Sequence, residues 1–345
     1  MKRFDWRILI PLPFLGVAVA LLWWRGPDWH AVRGAFTVVT WGWVLAALGL
    51  NLLSVVVRSL CWKTAIGQAM PPPHPGWRLV FAAFGVGLFG NVVLPGRVGE
   101  LARVAVLARR LPGRKGIWAT LVGSVFAHRA FDLFPAMTLV AWVLVSAKLP
   151  SWAFTSFIVV IAAGAALFAA AILTARSHST HLEGLGRIRQ LLARIRFGLA
   201  IMRKPLPAIT AGAFQFAGWL CQLAAVWAAM RAFHIYLPLA AAGLVLVLMN
   251  VATIFPLWPG NVGLVQAAVA LPLVPYGVDY ARGFAYGIGL QAIEASVGIG
   301  IGLIFLAREG FSYAALKEIP DAESSGEELD EPAEELDDER TRVPG

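Results

Sequence analysis

Acidic side chains are almost missing from residues 1–317, where eight Asp/Glu stand against 27 Lys/Arg. Charge of either sign is scarce, at 14% of the 345 residues, whereas a soluble domain carries about a quarter. That shortage argues against a water-soluble globule. Cysteine is limited to Cys61 and Cys221, which lie far apart in or near apolar segments and so do not form a disulfide framework. The signatures of common soluble chemistries are also lacking: there is no GxSxG elbow, no P-loop and no HExxH. No carboxylate-rich cluster offers a magnesium–diphosphate site. His178 and His181 are three apart in a polar loop without further ligands, so neither a metal site nor a cofactor is expected.

What is present is apolar length. Hydrophobic residues make up 59% of the chain, with 14 tryptophans and a mean hydropathy of +0.71. The composition is that of an all-α integral membrane protein. Apolar segments fall at 8–24, 36–57, 79–94, 117–147, 152–174, 208–230, 237–258, 264–274 and 281–306, several near the ~20 residues that span a bilayer. The first, preceded by Lys2, Arg3 and Arg7, ends in Trp23-Trp24-Arg25-Gly26-Pro27 without a small-x-small cleavage site, and is read as a retained helix. Residues 318–345 carry 12 acids against two arginines and are expected to form a disordered acidic tail.

Two apolar runs break at related places. One ends at Pro95-Gly96-Arg97-Val98-Gly99-Glu100, the other, in the second half of the chain, at Pro259-Gly260-Asn261-Val262-Gly263. A broken helix in hydrocarbon is costly unless it lines a polar cavity, and paired breaks point to a substrate pathway between internal repeats. Basic residues concentrate on one side: Lys2, Arg3 and Arg7; Arg58, Lys63 and Arg78; Arg109, Arg110, Arg114 and Lys115; seven Lys/Arg between Arg176 and Lys204; Arg308 and Lys317. The positive-inside rule then places both termini in the cytoplasm. On this reading about six helices cross fully, and two broken segments are re-entrant hairpins entering from opposite faces. Residues 36–147 and 208–306 form an inverted repeat within a transmembrane domain of residues 1–317. Eight or more ordinary crossing helices satisfy the same loop parity. The link at 176–204 reads either as an amphipathic helix on anionic lipid or as a solvated connector. The basic excess beside apolar spans is a membrane signature, and no nucleic-acid partner is expected.

Within the embedded parts the acids are Glu100, Asp132 and Glu294. The bases are Arg97, Arg103 and Arg129, with His128 beside the last. Arg129 and Asp132 share a helix face, and Glu100 has an arginine three residues to either side. Such pairs can serve only to hold helices together, but intramembrane charges mark pathways by default. A guanidinium suits a phosphate through bidentate hydrogen bonds, and a helix N-terminus after a Pro-Gly break adds free N–H groups. Arg97, Arg103 and Arg129 are therefore expected to hold a lipid phosphate, with Glu100 and Asp132 ordering them. Pro95, Gly96, Gly99, Pro259, Gly260 and Gly263 are the expected hinges. Glu294 reads equally as a proton or cation site for coupling or as an interhelical hydrogen bond. Asn91, Gln215 and Asn250 are read as interhelical glue. Gly85-Val86-Gly87-Leu88-Phe89-Gly90 matches a dinucleotide fingerprint but lacks its strand–turn–helix context, so close helix packing explains it.

The run Asn91-Val92-Val93-Leu94-Pro95-Gly96-Arg97-Val98-Gly99-Glu100-Leu101-Ala102-Arg103 resembles the hallmark of the lysylphosphatidylglycerol synthase transmembrane-region family, the flippase-like membrane proteins. Ser124-Val125-Phe126-Ala127-His128-Arg129-Ala130-Phe131-Asp132 is similar to the family's next motif, with His128 where an acid usually precedes the arginine. Pro259-Gly260-Asn261-Val262-Gly263-Leu264-Val265-Gln266 is similar to a later one, with Gln266 where glutamate often stands. The resemblance implies a protein that moves or handles lipids. In the bifunctional synthases this region flips an aminoacylated phospholipid made by an appended cytosolic domain, and other members are associated with polyprenyl-phosphate sugar carriers. No such domain is expected here, so the expected activity is that of a transporter and not an enzyme, moving a phosphate-bearing lipid between leaflets of a prokaryotic plasma membrane. A scaffold binding lipid or a lipid-modifying or glycosyl-transfer enzyme, and a lipid-linked transferase, are the alternatives.

Overall fold

The computed structural model describes residues 27–93, 99–111, 117–148, 204–253 and 261–309, with Ala162 and Ala166 as isolated helical positions. The apolar segments at 8–24 and 152–174, the basic link before Lys204 and the acidic tail lie outside the described residues. Every regular element described is helical: α1 (Trp29–Thr37), α2 (Trp41–Ala69), α3 (Trp77–Val93), α4 (Gly99–Arg109), α5 (Ile117–Ser146), α6 (Pro205–Ala232), α7 (Leu239–Ala252), α8 (Leu264–Ala270) continued by a 3-10 turn (Leu271–Tyr276), and α9 (Tyr280–Glu309). The protein is an all-α integral membrane protein. Helices α2, α5, α6 and α9 are long and apolar enough to cross a bilayer.

The two halves repeat one pattern of long, short, short and long helices. The offset between counterparts is nearly constant along the chain: α2 and α6 start at Trp41 and Pro205, α3 and α7 at Trp77 and Leu239, α4 and α8 at Gly99 and Leu264, α5 and α9 at Ile117 and Tyr280. The packing repeats as well. α3 packs on α9 as α7 packs on α5, α4 packs on α5 as α8 packs on α9, and α2 meets α5 as α6 meets α9. The counterparts α2 and α6 lie against each other and run antiparallel. The Thr40 amide at the start of α2 donates to the Ala232 carbonyl at the end of α6 (3.0 Å). Trp43 meets Trp227 edge-on. Ser54 Oγ donates to the Gly218 carbonyl (2.8 Å) across a separation of 164 residues, so at mid-helix a residue bonds its own counterpart. Antiparallel counterparts make the repeat an inverted one.

Helix α4 is too short to cross alone. At about 1.5 Å per residue the 11 residues of α4 reach about 16 Å, against about 30 Å of hydrocarbon. Helix α3 descends along α9 in antiparallel register: Phe81 meets Phe305 edge-on, Gly85 faces Ile301 and Leu88 faces Gly298. Its last residue therefore stops near the middle of α9, and α4 returns beside it. Gly90 makes that return possible, since a Cβ there would lie 2.9 Å from Gly99 Cα. Helix α7 enters from the opposite face. Gly243, near its start, packs on Leu139, Trp142 and Val143 near the end of α5. Asn261 Nδ2 donates to the Ala252 carbonyl (3.0 Å) and closes this second hairpin.

Two expectations are corrected. The segment read as ending at residue 57, with Arg58 and Lys63 among the basic residues that follow it, continues as helix to Ala69; Arg58 is tolerated inside because it finds an acid there. Phe36 belongs to the separate short helix α1, which lies over the start of α9 through Trp29 and Phe284.

Candidate functional site

The tip of the first hairpin and the middles of α2, α5 and α6 meet in one charged cluster. Glu100, in the first turn of α4, receives Arg103 on one carboxylate oxygen and Arg129 on the other. Arg129 reaches from α5 with both terminal nitrogens, since its Nη1 also donates to Asp132 Oδ2 (3.2 Å). Asp132 Oδ1 accepts from Arg58 Nη2 of α2 (3.0 Å), from Trp219 Nε1 of α6 (2.9 Å) and from the Gln215 amide. Among the described residues three guanidinium groups face two carboxylates, a formal surplus of one positive charge with His128 counted neutral.

The three arginines are not equivalent. Arg103 is 3% exposed. Its guanidinium lies over the Trp62 ring (4.7 Å) and the Phe84 ring (5.3 Å), and Trp62 is fixed by its Nε1 donating to Ser124 Oγ (3.1 Å). Arg58 lies over Trp219 (5.4 Å). Aromatic faces attract cations and exclude water from them. Arg129 keeps 48% of its side chain exposed, the most of the three. His128 beside it is buried against Phe84, and neither ring nitrogen has a hydrogen-bond partner among the described residues.

Position follows from local chemistry. Gly99 starts α4 so close to α3 that any side chain there would meet the Gly87 carbonyl and Asn91. Its amide donates to Asn91 Oδ1 (3.1 Å). That bond occupies one of the amides a helix start leaves unpaired, and Glu100 in the same turn suits the positive end of the helix. Pro135 lies inside α5, three residues past Asp132. It removes an intrahelical hydrogen bond and gives α5 a point at which to bend beside the cluster.

The second hairpin carries a neutral counterpart. Gly263 takes φ +92° before α8, and its amide donates to Gln266 Oε1. Gln266 Nε2 donates to Gln291 of α9. One turn further along α9, Glu294 accepts from Gln222 Nε2 of α6 (3.3 Å).

Of the residues singled out from sequence, Glu100, Arg103, Arg129 and Asp132 are brought together, and Glu294 stands apart on α9. Gly99 and Gly263 stand at the two helix starts. Arg97, Pro95, Gly96, Pro259 and Gly260 lie outside the described residues. Sequence reasoning missed Arg58, Trp62 and Trp219. It read Gln215 as interhelical glue, and its amide does join α6 to α5 by donating to Asp132. The period of the internal repeat held a usable signal for Arg58, whose counterpart Gln222 also sits at mid-span.

Among known proteins, a family model described as the lysylphosphatidylglycerol synthase TM region matches residues 10–302. No curated protein and no solved structure matches the chain.

Proposed function

Since the chain belongs to the lysylphosphatidylglycerol synthase TM region family, we propose that it is a lipid translocase, a transporter and not an enzyme, passing a phosphate-bearing headgroup between leaflets. The observation that carries this reading is the half-exposed Arg129 side chain, its guanidinium held between Glu100 and Asp132 at the depth where the first hairpin ends. A phosphodiester carries one negative charge, and the cluster has a surplus of one positive charge. The headgroup phosphate displaces one carboxylate from Arg129 and is held in its place. The displaced carboxylate keeps another arginine, Arg103 for Glu100 or Arg58 for Asp132. Exchange of one anion for another avoids exposing an unpaired charge to hydrocarbon.

Two inverted halves, each with a hairpin opening to a different face, suit alternating access around a central site. The face carrying the ends of α2, α4 and α9 is assigned to the cytoplasm of a prokaryotic plasma membrane, because Arg78, Arg109 and Arg110 lie there. Both termini are placed on that side. A lipid-modifying or glycosyl-transfer enzyme is the partner class this activity would serve.

The test is Arg129→Ala beside Arg129→Lys in proteoliposomes. Removing Arg129 leaves both carboxylates paired, so the protein folds. One charge-assisted hydrogen bond is worth about 1.5–3 kcal/mol, so Arg129→Ala should lower leaflet exchange about 10- to 100-fold. Arg129→Lys keeps the charge but loses the planar fork and should fall between. Exchange unchanged in Arg129→Ala removes the residue from the pathway.

A further inference from the structure

In the first half of the molecule both half-buried acids of the cluster meet cations: Glu100 has Arg103 and Arg129, and Asp132 has Arg58 and Arg129. The second half repeats the frame but not the charge. The counterpart of Arg58 is Gln222, one helical turn past Gly218 as Arg58 is one turn past Ser54. It is Gln222 that reaches the mid-helix acid Glu294 (3.3 Å). No arginine, lysine or histidine bonds Glu294 among the described residues. Among the described residues the cation whose field reaches it is Arg58 of α2, and the titratable group that its own charge acts on is Tyr286 of the same helix. Helix α3 presents Leu88 and Phe89 to α9, and α8 presents Gln266. Helix α1 meets α9 at Phe284, about 15 Å along the helix from Glu294.

An arginine stabilises only the ionised carboxylate. An amide serves both forms: its N–H₂ donates to a carboxylate, and after a half-turn its oxygen accepts from a carboxylic acid O–H. The Gln222 oxygen is buried without a partner among the described residues, so no second bond there locks the amide in one orientation. We infer that Glu294 is a proton-binding site that takes up a proton and releases it as the hairpins exchange faces. Proton release would place a second negative charge within the field of Arg58, in competition with Asp132. The proton site and the anion cluster thus share one cation. The role in the cycle rests on the translocase reading; the protonation itself does not.

The experiment therefore has two readouts on full-length protein. Infrared difference spectra across a pH titration report the protonated carboxyl C=O band. It should titrate in wild type, vanish in Glu294→Gln, and vanish in Gln222→Arg, where a cation holds the acid ionised. A thermal-unfolding measurement on each variant checks that it is folded. In parallel, exchange of labelled phosphatidylglycerol in proteoliposomes should fall about tenfold per pH unit above the point where the band is half lost, and should be flat with pH in Glu294→Gln. Absence of the band from wild type, or a band that persists in Glu294→Gln, overturns the proton site whether or not lipid moves. A titrating band with pH-independent exchange overturns its part in the cycle. A titrating band in protein that moves no lipid leaves the proton site standing and defeats the translocase reading.

Discussion

Asp132→Asn removes one negative charge from the cluster without changing the shape of the side chain. Among the described residues Asp132 is the sole acid bonded to Arg58 and one of two on Arg129. The surplus therefore rises to two positive charges, and Arg58 loses its counter-charge at mid-helix. Removing one partner of a buried pair costs about 3–5 kcal/mol. The side chains of Asp132 and Arg58 are 15% and 20% exposed, which places the expected loss at the low end, about 3 kcal/mol. With about 2 °C per kcal/mol for a long chain, the thermal midpoint should fall by about 6 °C. The assay is thermal unfolding in detergent read by a thiol-reactive dye. Cys61 is fully buried and Cys221 is half-buried, and both are free, so unfolding exposes the thiols. Adding Arg58→Gln removes the stranded charge, and the double variant should recover about 1–3 kcal/mol relative to additive losses. Wild-type stability in Asp132→Asn, or strict additivity in the double variant, would refute the assignment of Asp132 as the anion that neutralises Arg58.

Gly90→Ala should destabilise the first hairpin by about 1–3 kcal/mol, because its Cβ would press on Gly99 Cα at 2.9 Å; the same dye assay reads it. Arg103→Lys, which loses the flat stacking over Trp62 and Phe84, should lower both the thermal midpoint and lipid exchange; unchanged values would remove the stacking from the account. In native membranes a permeant maleimide should label Cys221 faster than Cys61, and mass spectrometry of the modified peptides would show the order.

Much of the architecture is readable from the chain because membrane insertion makes length and charge costly to violate. The shortness of the apolar segments beside the two Pro-Gly pairs marks both hairpins. The i, i+3 pairs Glu100–Arg103 and Arg129–Asp132 are visible because helical spacing alone puts them together. What joins those pairs is not visible. Arg58 is 74 residues from Asp132, and Gln215 and Trp219 are 83 and 87 residues away; only the packing of α2, α5 and α6 makes them neighbours. A charge at the end of an apolar run reads as the start of a loop, yet the helix carrying Arg58 runs on past it to Ala69. The unequal standing of the arginines is equally hidden, since the burial of Arg103 depends on Trp62 and Phe84 from two other helices.

The central claim is movement of a phosphate-bearing lipid through the cluster around Arg129. Its most direct test is leaflet exchange by the purified wild-type protein in liposomes, with labelled phosphatidylglycerol, its aminoacylated form, a polyprenyl phosphate and a phosphate-free glycolipid compared side by side. The account predicts protein-dependent exchange of at least one phosphate-bearing lipid and none of the glycolipid. No exchange of any lipid by folded protein, or equal exchange of all four, would contradict it.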